Sequence, residues 1–405
     1  MSAAPAVVIT GIGVHGALGD AAATYAALAA GESAVRLRRP PGGDGLPPVP
    51  AAPAPDADPS GLILDRKLVK YMSPAARMAV VAAGRALADA GLLADERRHG
   101  LGLFAATGLV AFDLGSVGRA VDLSRGADGG LDFDRLGCEG LRACPPLMPF
   151  KMLLNMPLGL ISIAYGIRGP NFILYPGADQ AGACLEAAVR GIRAGRLAGA
   201  LVGGTAQALS TLPLCTQVRL GRVASSVAAA QPFTLGHCGT APADAAAFLV
   251  LEPAPAAAAR GRRAYATLTA ASAGRCAMGA GGRADHWRAA AAAPPDLLVS
   301  SGNLDFTEDR AELADVDEVW PGARPRVASY DGALGLAGAA SPPLLVGLAA
   351  LMIDRGAAPA PLTPPPPVER AARLLRLTDE PRRVLVSATT PEGAITVAVV
   401  EGDRS

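Results

Sequence analysis

The place where this chain would do chemistry is residues 169–204, GPNFILYPGADQAGACLEAAVRGIRAGRLAGALVGG. Residues 171–175 read as a strand, PGADQ as a tight turn, residues 181–194 as a helix and residues 197–202 as a second strand. A strand-to-helix turn exposes unpaired backbone N–H groups and the positive end of a helix dipole. A thiol seated there has a lowered pKa, and an oxyanion is stabilised. This turn carries Ala178, Asp179 and Gln180, with no Cys, Ser or Thr. It is a nucleophile's seat without a nucleophile. Asp179 and Gln180 suit either a polar ligand or the capping of the helix.

The other reactive residue types offer no substitute. Cys184 falls inside the helix, about one and a half turns further on, and reads as a buried structural thiol. His237 is isolated and reads as a satisfied structural histidine. Asp309 and Glu312 open a helix and are expected to cap and charge its N-terminus. Six Cys without a CxxC pair argue against a disulfide framework or zinc site and suit a reducing cytoplasm. Four widely spaced His make a histidine metal cluster unexpected, and no cofactor motif is present. A net charge of +1 gives no electrostatic case for nucleic acid or an anionic membrane. The start, MSAAPAVVITG, has no basic segment and enters a strand at once, so no signal peptide is expected. The longest uncharged run, residues 197–218, is broken by Gly203-Gly204, Gln207 and Pro213, which favours strand and loop over a membrane span.

The elements that must position this turn are legible in outline. Residues 6–14 (AVVITGIGV) form a buried β-branched strand, with Gly11 and Gly13 allowing close backbone approach. Asp20 caps a helix ending near Gly31, and residues 39–59 read as an irregular surface loop. Ser73 and Pro74 supply the N-cap and first position of a helix rich in small residues, so a neighbour packs closely on it. Residues 100–106 read as a strand, 253–263 as a linker, 344–353 as an apolar helix, 359–367 as a Pro-rich loop and 384–400 as a closing strand pair. Strands alternating with helices in 405 residues, 51% of them apolar, make a layered α/β architecture.

The chain resembles the β-ketoacyl synthases of fatty-acid and polyketide synthesis. The resemblance rests on VVITG at the start, on PF and NM within PFKMLLNMP, and on the ungapped stretch from GPN to GG. QPFTLGHCGTAPADAAAFLVLE matches the family's RPFDxxRDGFVxGEGAxxLVLE in length, with His237 and Cys238 where Arg and Asp are usual and Asp244 where Glu is usual. In one register Ala178 takes the place of the catalytic Cys. With a two-residue slip, DQAG at 179–182 resembles the EQAG run of chain-length factors, the inactive partners of ketosynthases. SGNLDFTEDRAE aligns on HGTGTxxNDxxE, keeping Asp309 and Glu312 but placing Ser301 at the catalytic His. VASYDGALG lies on TKxxxGHxxGAAG, placing Ala333 at the second His and Ala328 near the Lys. The turn Thr389-Thr390-Pro391-Glu392 replaces the family's GFGG loop.

The resemblance implies a thiolase-like fold of five layers, with duplicated halves at residues 1–253 and 254–405, in an obligate dimer. The Claisen condensation needs a thiolate and two His, and all three are missing, so no catalytic residue is expected. A chain-length-factor-like subunit, no enzyme by itself, is the implied role in type II polyketide or polyene synthesis. It would pair with an active ketosynthase, receive substrates from an acyl carrier protein and shape the acyl tunnel. By position, Val110, Phe112, Asp113 and Val117 would border that tunnel or the dimer interface, and Asp179 and Gln180 are further candidates for it. The alternatives are a thiolase-fold acyltransferase or cyclase with other catalytic residues, or a homodimeric acyl-binding scaffold.

Overall fold

Val, Ile and Leu runs make the strands, and alanine-rich runs with Ser, Asp or Pro at their starts make the helices. The computed structural model describes residues 4–39, 47–109, 113–175, 178–301, 305–323, 325–361 and 380–402. Its strands are β1 (Val7–Gly16), β2 (Arg36–Arg38), β3 (Val49–Ala51), β4 (Gly102–Thr107), β5 (Asn171–Leu174) and β6 (Ala200–Gln207). They continue with β7 (Asp244–Pro253), β8 (Ala266–Arg275), β9 (Leu297–Ser300), β10 (Arg326–Ser329), β11 (Arg383–Thr389) and β12 (Ala394–Glu401). The longer helices begin with α1 (Ala21–Ala29), α2 (Pro74–Asp89), α3 (Leu114–Leu123), α4 (Met156–Tyr165) and α5 (Ala178–Arg193). After these come α6 (Thr211–Arg219), α7 (Ala284–Ala290), α8 (Phe306–Val319) and α9 (Ser341–Arg355).

Ten strands form one sheet in the order β10-β9-β11-β12-β8-β1-β7-β6-β4-β5. The order repeats itself. Read outward from the centre, β1-β7-β6-β4-β5 and β8-β12-β11-β9-β10 have the same connectivity and the same mixture of parallel and antiparallel pairs. The two sets meet where β1 pairs with β8 through Val8–Thr267 and Ile9–Ala266.

Helices α2 and α4 cover the outer face of the first set in one apolar cluster, and α7 and α8 cover the second set in another. Helices α5 and α9 share the largest cluster with residues of both sets. That is helix, sheet, helix, sheet, helix: five layers, with α5 and α9 in the middle.

Close approach in these layers depends on missing side chains. A Cβ on Gly13 would stand 1.9 Å from the carbonyl oxygen of Ala82 in α2, and one on Gly11 would stand 2.2 Å from that of Ala86. A Cβ on Gly182 in α5 would meet Thr396 Oγ1 of β12 at 2.1 Å. Capping follows the sequence: Asp20 Oδ1 accepts from Ala23 N–H at 2.9 Å, and Ser73 Oγ accepts from Ala76 N–H at 3.3 Å with Pro74 opening α2.

Several boundaries differ from the sequence expectation. Residues 39–59 are not all irregular surface: Val49–Ala51 pairs with Arg36–Arg38, and Ala52 is buried, its N–H bonded to the Pro242 carbonyl. The expected linker contains a short helix, Ala254–Ala259, whose end is tied down by Arg260 on Glu252 at 2.7 Å. The strand after α5 begins at Ala200 and runs through Gly203-Gly204, because a Cβ at either glycine would collide with β7 or with Ala339. Residues 362–367 of the Pro-rich loop lie outside the described residues.

Substituting Gly13→Ala is expected to lower unfolding free energy by about 1–3 kcal/mol through overpacking. Gly118→Ala on α3, where an added methyl meets nothing within 4 Å, should be neutral or slightly stabilising. Urea unfolding of both variants checks this, and a neutral Gly13→Ala would show that β1 and α2 are not packed backbone to backbone.

Candidate functional site

Helix α5 starts at Ala178, three residues earlier than the turn chemistry suggested. Ala178, Asp179 and Gln180 are therefore its first turn rather than the loop before it. The early start leaves their N–H groups at the helix end, where α5 follows β5 toward the centre of the molecule. The side chains of Ala178 and Asp179 lie outside the described residues. Gln180 lines a cavity of about 440 Å³.

The opposite wall comes from two segments. Leu336, Gly338 and Ala339 lie in the segment that leads into α9, and Thr390, Pro391 and Glu392 lie in the turn between β11 and β12. No Cys or His is among the described residues that line this cavity. Ser301 and Ala333 do not line it either. Ser301 is buried, its N–H donating to the Ser387 carbonyl at 3.1 Å, and its hydroxyl finds no partner among the described residues. Ala333 is buried, its carbonyl accepting from Ala34 N–H at 2.9 Å. The nearest thiol along α5, Cys184, is fully buried, and desolvation pushes it up to about 12. The described wall is largely apolar, with Thr216, Thr240, Thr390 and Glu392 among its polar residues.

A second cavity, about 530 Å³, opens on the far side of Gln207. Gln207 lines both cavities, and its buried side-chain oxygen accepts no hydrogen bond among the described residues. Asp113 lines the second cavity, but its carboxylate is engaged by its own helix. It caps α3, accepting from Ser116 N–H at 3.1 Å and Ser116 Oγ at 2.6 Å. Val117 is half-buried on α3, and Val110 and Phe112 lie outside the described residues. Asp244, also on this wall, is pushed up to about 6 by burial, against the hydrogen bond it accepts from Leu209 N–H.

Asp309 and Glu312 correct the sequence expectation. Neither caps α8: that role belongs to Asp305, whose Oδ1 accepts from Thr307 N–H at 2.8 Å and Glu308 N–H at 3.1 Å. The reason is periodicity, since Asp309 and Glu312 fall on the inward face of α8. Asp309 Oδ2 lies 2.7 Å from His237 Nδ1 and accepts from Phe233 N–H at 2.6 Å. That second bond holds Phe233 at φ +61°, a left-handed conformation unfavourable to a bulky residue. His237 thus has its partner on one nitrogen, while Nε2 has none among the described residues. Glu312 is fully buried, and desolvation raises it to about 7 despite Arg283. Burial, then the nearby Glu312, raises Asp331 to about 8.

Comparison with known proteins fits this geometry. The sequence profile of the β-ketoacyl synthase N-terminal domain matches residues 4–257. The chain belongs to the β-ketoacyl synthase family. It is 32% identical over 277 residues to the polyketide β-ketoacyl synthase 2 of Streptomyces halstedii, covering 66% of this chain and 62% of that one. It is 30% identical over 266 residues to the tetracenomycin polyketide synthase ketoacyl synthase β subunit of Streptomyces glaucescens, covering 64% and 60%. The matches therefore span about six-tenths of the length of these curated relatives. The solved ishigamide ketosynthase/chain length factor superposes with a TM-score of 0.84 at 21% identity, over 99% of this chain and 100% of that one. The five layers and repeated strand order are the thiolase-like fold of this family.

Sequence reasoning missed three residues of the site: Gln207, Arg222 and Glu392. Glu392 had a signal, since a charged residue stood in a turn that is glycine-rich in the β-ketoacyl synthases. Arg222 had none, because its partner is 170 residues away.

The raised carboxyl groups set a pH dependence. Asp331 holds its proton up to about pH 8 when folded but releases it near its ordinary value of 3.8 when unfolded. The folded state binds more protons across that window, so stability falls as pH rises through it. Asp331→Asn should flatten this decline, gaining on the natural protein by about 1 kcal/mol or more between pH 5 and pH 8. Thermal midpoints measured across the window test this, and parallel curves would show that Asp331 is ionised throughout.

Proposed function

We propose that this chain is a non-catalytic, chain-length-factor-like subunit that pairs with an active ketosynthase in type II polyketide or polyene synthesis. Residues 1–253 and 254–405 would be its two halves. The observation that carries this is selective loss. The family resemblance sets Ala178 (or, with a two-residue slip, Gln180), Ser301 and Ala333 at the three catalytic positions, while a cavity of about 440 Å³ lies at the first turn of α5. A degenerate enzyme under no constraint would have no reason to keep the second without the first. The condensing thiolate and both imidazoles would come from the partner, and an acyl carrier protein would deliver the chain. The names of the relatives, a ketoacyl synthase β subunit and a ketosynthase/chain length factor, support the same role.

The surface favours a partner. Strand β5 ends the sheet and is paired only with β4 among the described residues. An unpaired edge is a template for another strand. Phe150, Leu153, Ile163 and Tyr175, from the segment leading through α4 and past β5, are 39–64% exposed, which is an apolar surface to be covered. Among the described residues no helix is long and apolar enough to cross a membrane. A cytoplasmic, carrier-protein-dependent pathway is the setting this role implies. Cavity walls near Asp113 and Val117, together with Val110 and Phe112, would set how far the chain extends, and Asp179 and Gln180 would close the inner end.

Native mass of the chain co-expressed with the intact ketosynthase encoded nearest to it decides the partner role. A one-to-one heterodimer is expected, and a homodimer that ignores the ketosynthase would overturn it. Ala178→Cys by itself should yield no condensation or malonyl decarboxylation, because the two His positions remain Ser and Ala. Turnover by that single variant would show that the chain retains catalytic groups.

A further inference from the structure

Two cavities flank the end of β6, and their linings have a single described residue in common, Gln207. The chain around it divides between them. Ala206 and Ala208 line the cavity of about 440 Å³, and Leu209 and Ser210 line that of about 530 Å³. In α6, Pro213 lines the smaller cavity and Leu214 the larger. Leu109 and Asp113 also fall on opposite sides, and residues 110–112 between them lie outside the described residues.

Gln207 is held at this division by its backbone. It stands opposite Asp244 in the sheet, and its carbonyl accepts from Ser210 Oγ at 2.9 Å and from Ser210 N–H at 3.3 Å. Its chain neighbours, Ala206 and Ala208, carry a methyl each, so the reach on this wall comes from Gln207. The side-chain oxygen is buried and accepts no hydrogen bond among the described residues. A buried carbonyl without a donor is unfavourable. What that end of the side chain supplies between the cavities is therefore bulk.

The larger cavity is the one that meets the surface left for a partner. Met148, Lys151 and Met152 line it from the same short helical turn that carries the half-exposed Phe150. A chain arriving across that surface enters the larger cavity first. It meets Gln207 before the smaller cavity, whose lining includes Gln180 in the first turn of α5.

We propose that Gln207 ends the acyl tunnel within this subunit, its side chain closing the larger cavity from the smaller. This rests on the pairing role proposed above and adds to it the residue that limits the chain. Exchanging a large buried side chain for a small one leaves a space, and at this position that space joins the two cavities.

The test has two readings. The first is the crystal structure of Gln207→Ala, which needs no partner. One continuous cavity is expected, and two cavities still separate would overturn the proposal. The second is the mass of the products made by the full chain co-expressed with its ketosynthase. Gln207→Ala is expected to lengthen the main product by one or more two-carbon units, and Gln207→Leu, which keeps the bulk, to lengthen it less. Unchanged products from a Gln207→Ala heterodimer would overturn the proposal, as would equal lengthening by both variants. If Gln207→Ala does not fold, Gln207→Ser takes its place in both readings. The native mass of the same samples tells the two failures apart. A heterodimer with unchanged products removes the stop and keeps the pairing role. No heterodimer from the natural protein removes the pairing role, and the crystal structure then decides alone whether Gln207 divides the cavities.

Discussion

Two helices, α5 and α9, are buried between the two halves of one sheet, and the rest of the structure depends on making room for them. A helix covered by a sheet on each side cannot follow the usual one-sided apolar stripe. It needs small residues wherever a strand comes close. Helix α5 meets this with Ala181, Gly182, Cys184 and Ala188, and helix α9 is buried along nearly its whole length.

Around the first turn of α5 the molecule holds a pocket of about 440 Å³. The cavity walls come from both halves: Gln180 and Arg222 from the first, Leu336 and Glu392 from the second. Its described wall carries an amide, an ion pair and apolar side chains. The carboxylates of α8 remain, but as parts of the interior. Asp309 holds His237 and the strained Phe233 backbone, and Glu312 shares a dry region with Asp331. The raised pKa values of Glu312 and Asp331 come first from desolvation.

How much of this was legible beforehand follows from the range of each interaction. Caps at Asp20 and Ser73 act over three residues and were readable. So was the inward burial of Cys184, which follows from its place within α5. Asp309 and Glu312 misled because an acidic residue near a helix start looks the same whether it caps the helix or faces the core. Only the position of Phe233 and His237, more than seventy residues earlier, makes the difference. The start of α5 was misplaced because PGADQ has turn chemistry, yet the helix runs back to Ala178.

The family and the alternation of strands and helices could be read along the chain. These are statements about residue identity and local pattern, which need no coordinates. The tertiary structure alone decided that the strand order repeats across β1 and β8, that Gln207 stands between two cavities, and that Arg222 pairs with Glu392 across one of them. Each of these joins segments far apart in the chain. Such contacts are selected by how the layers pack, and no local propensity along the chain carries a record of them.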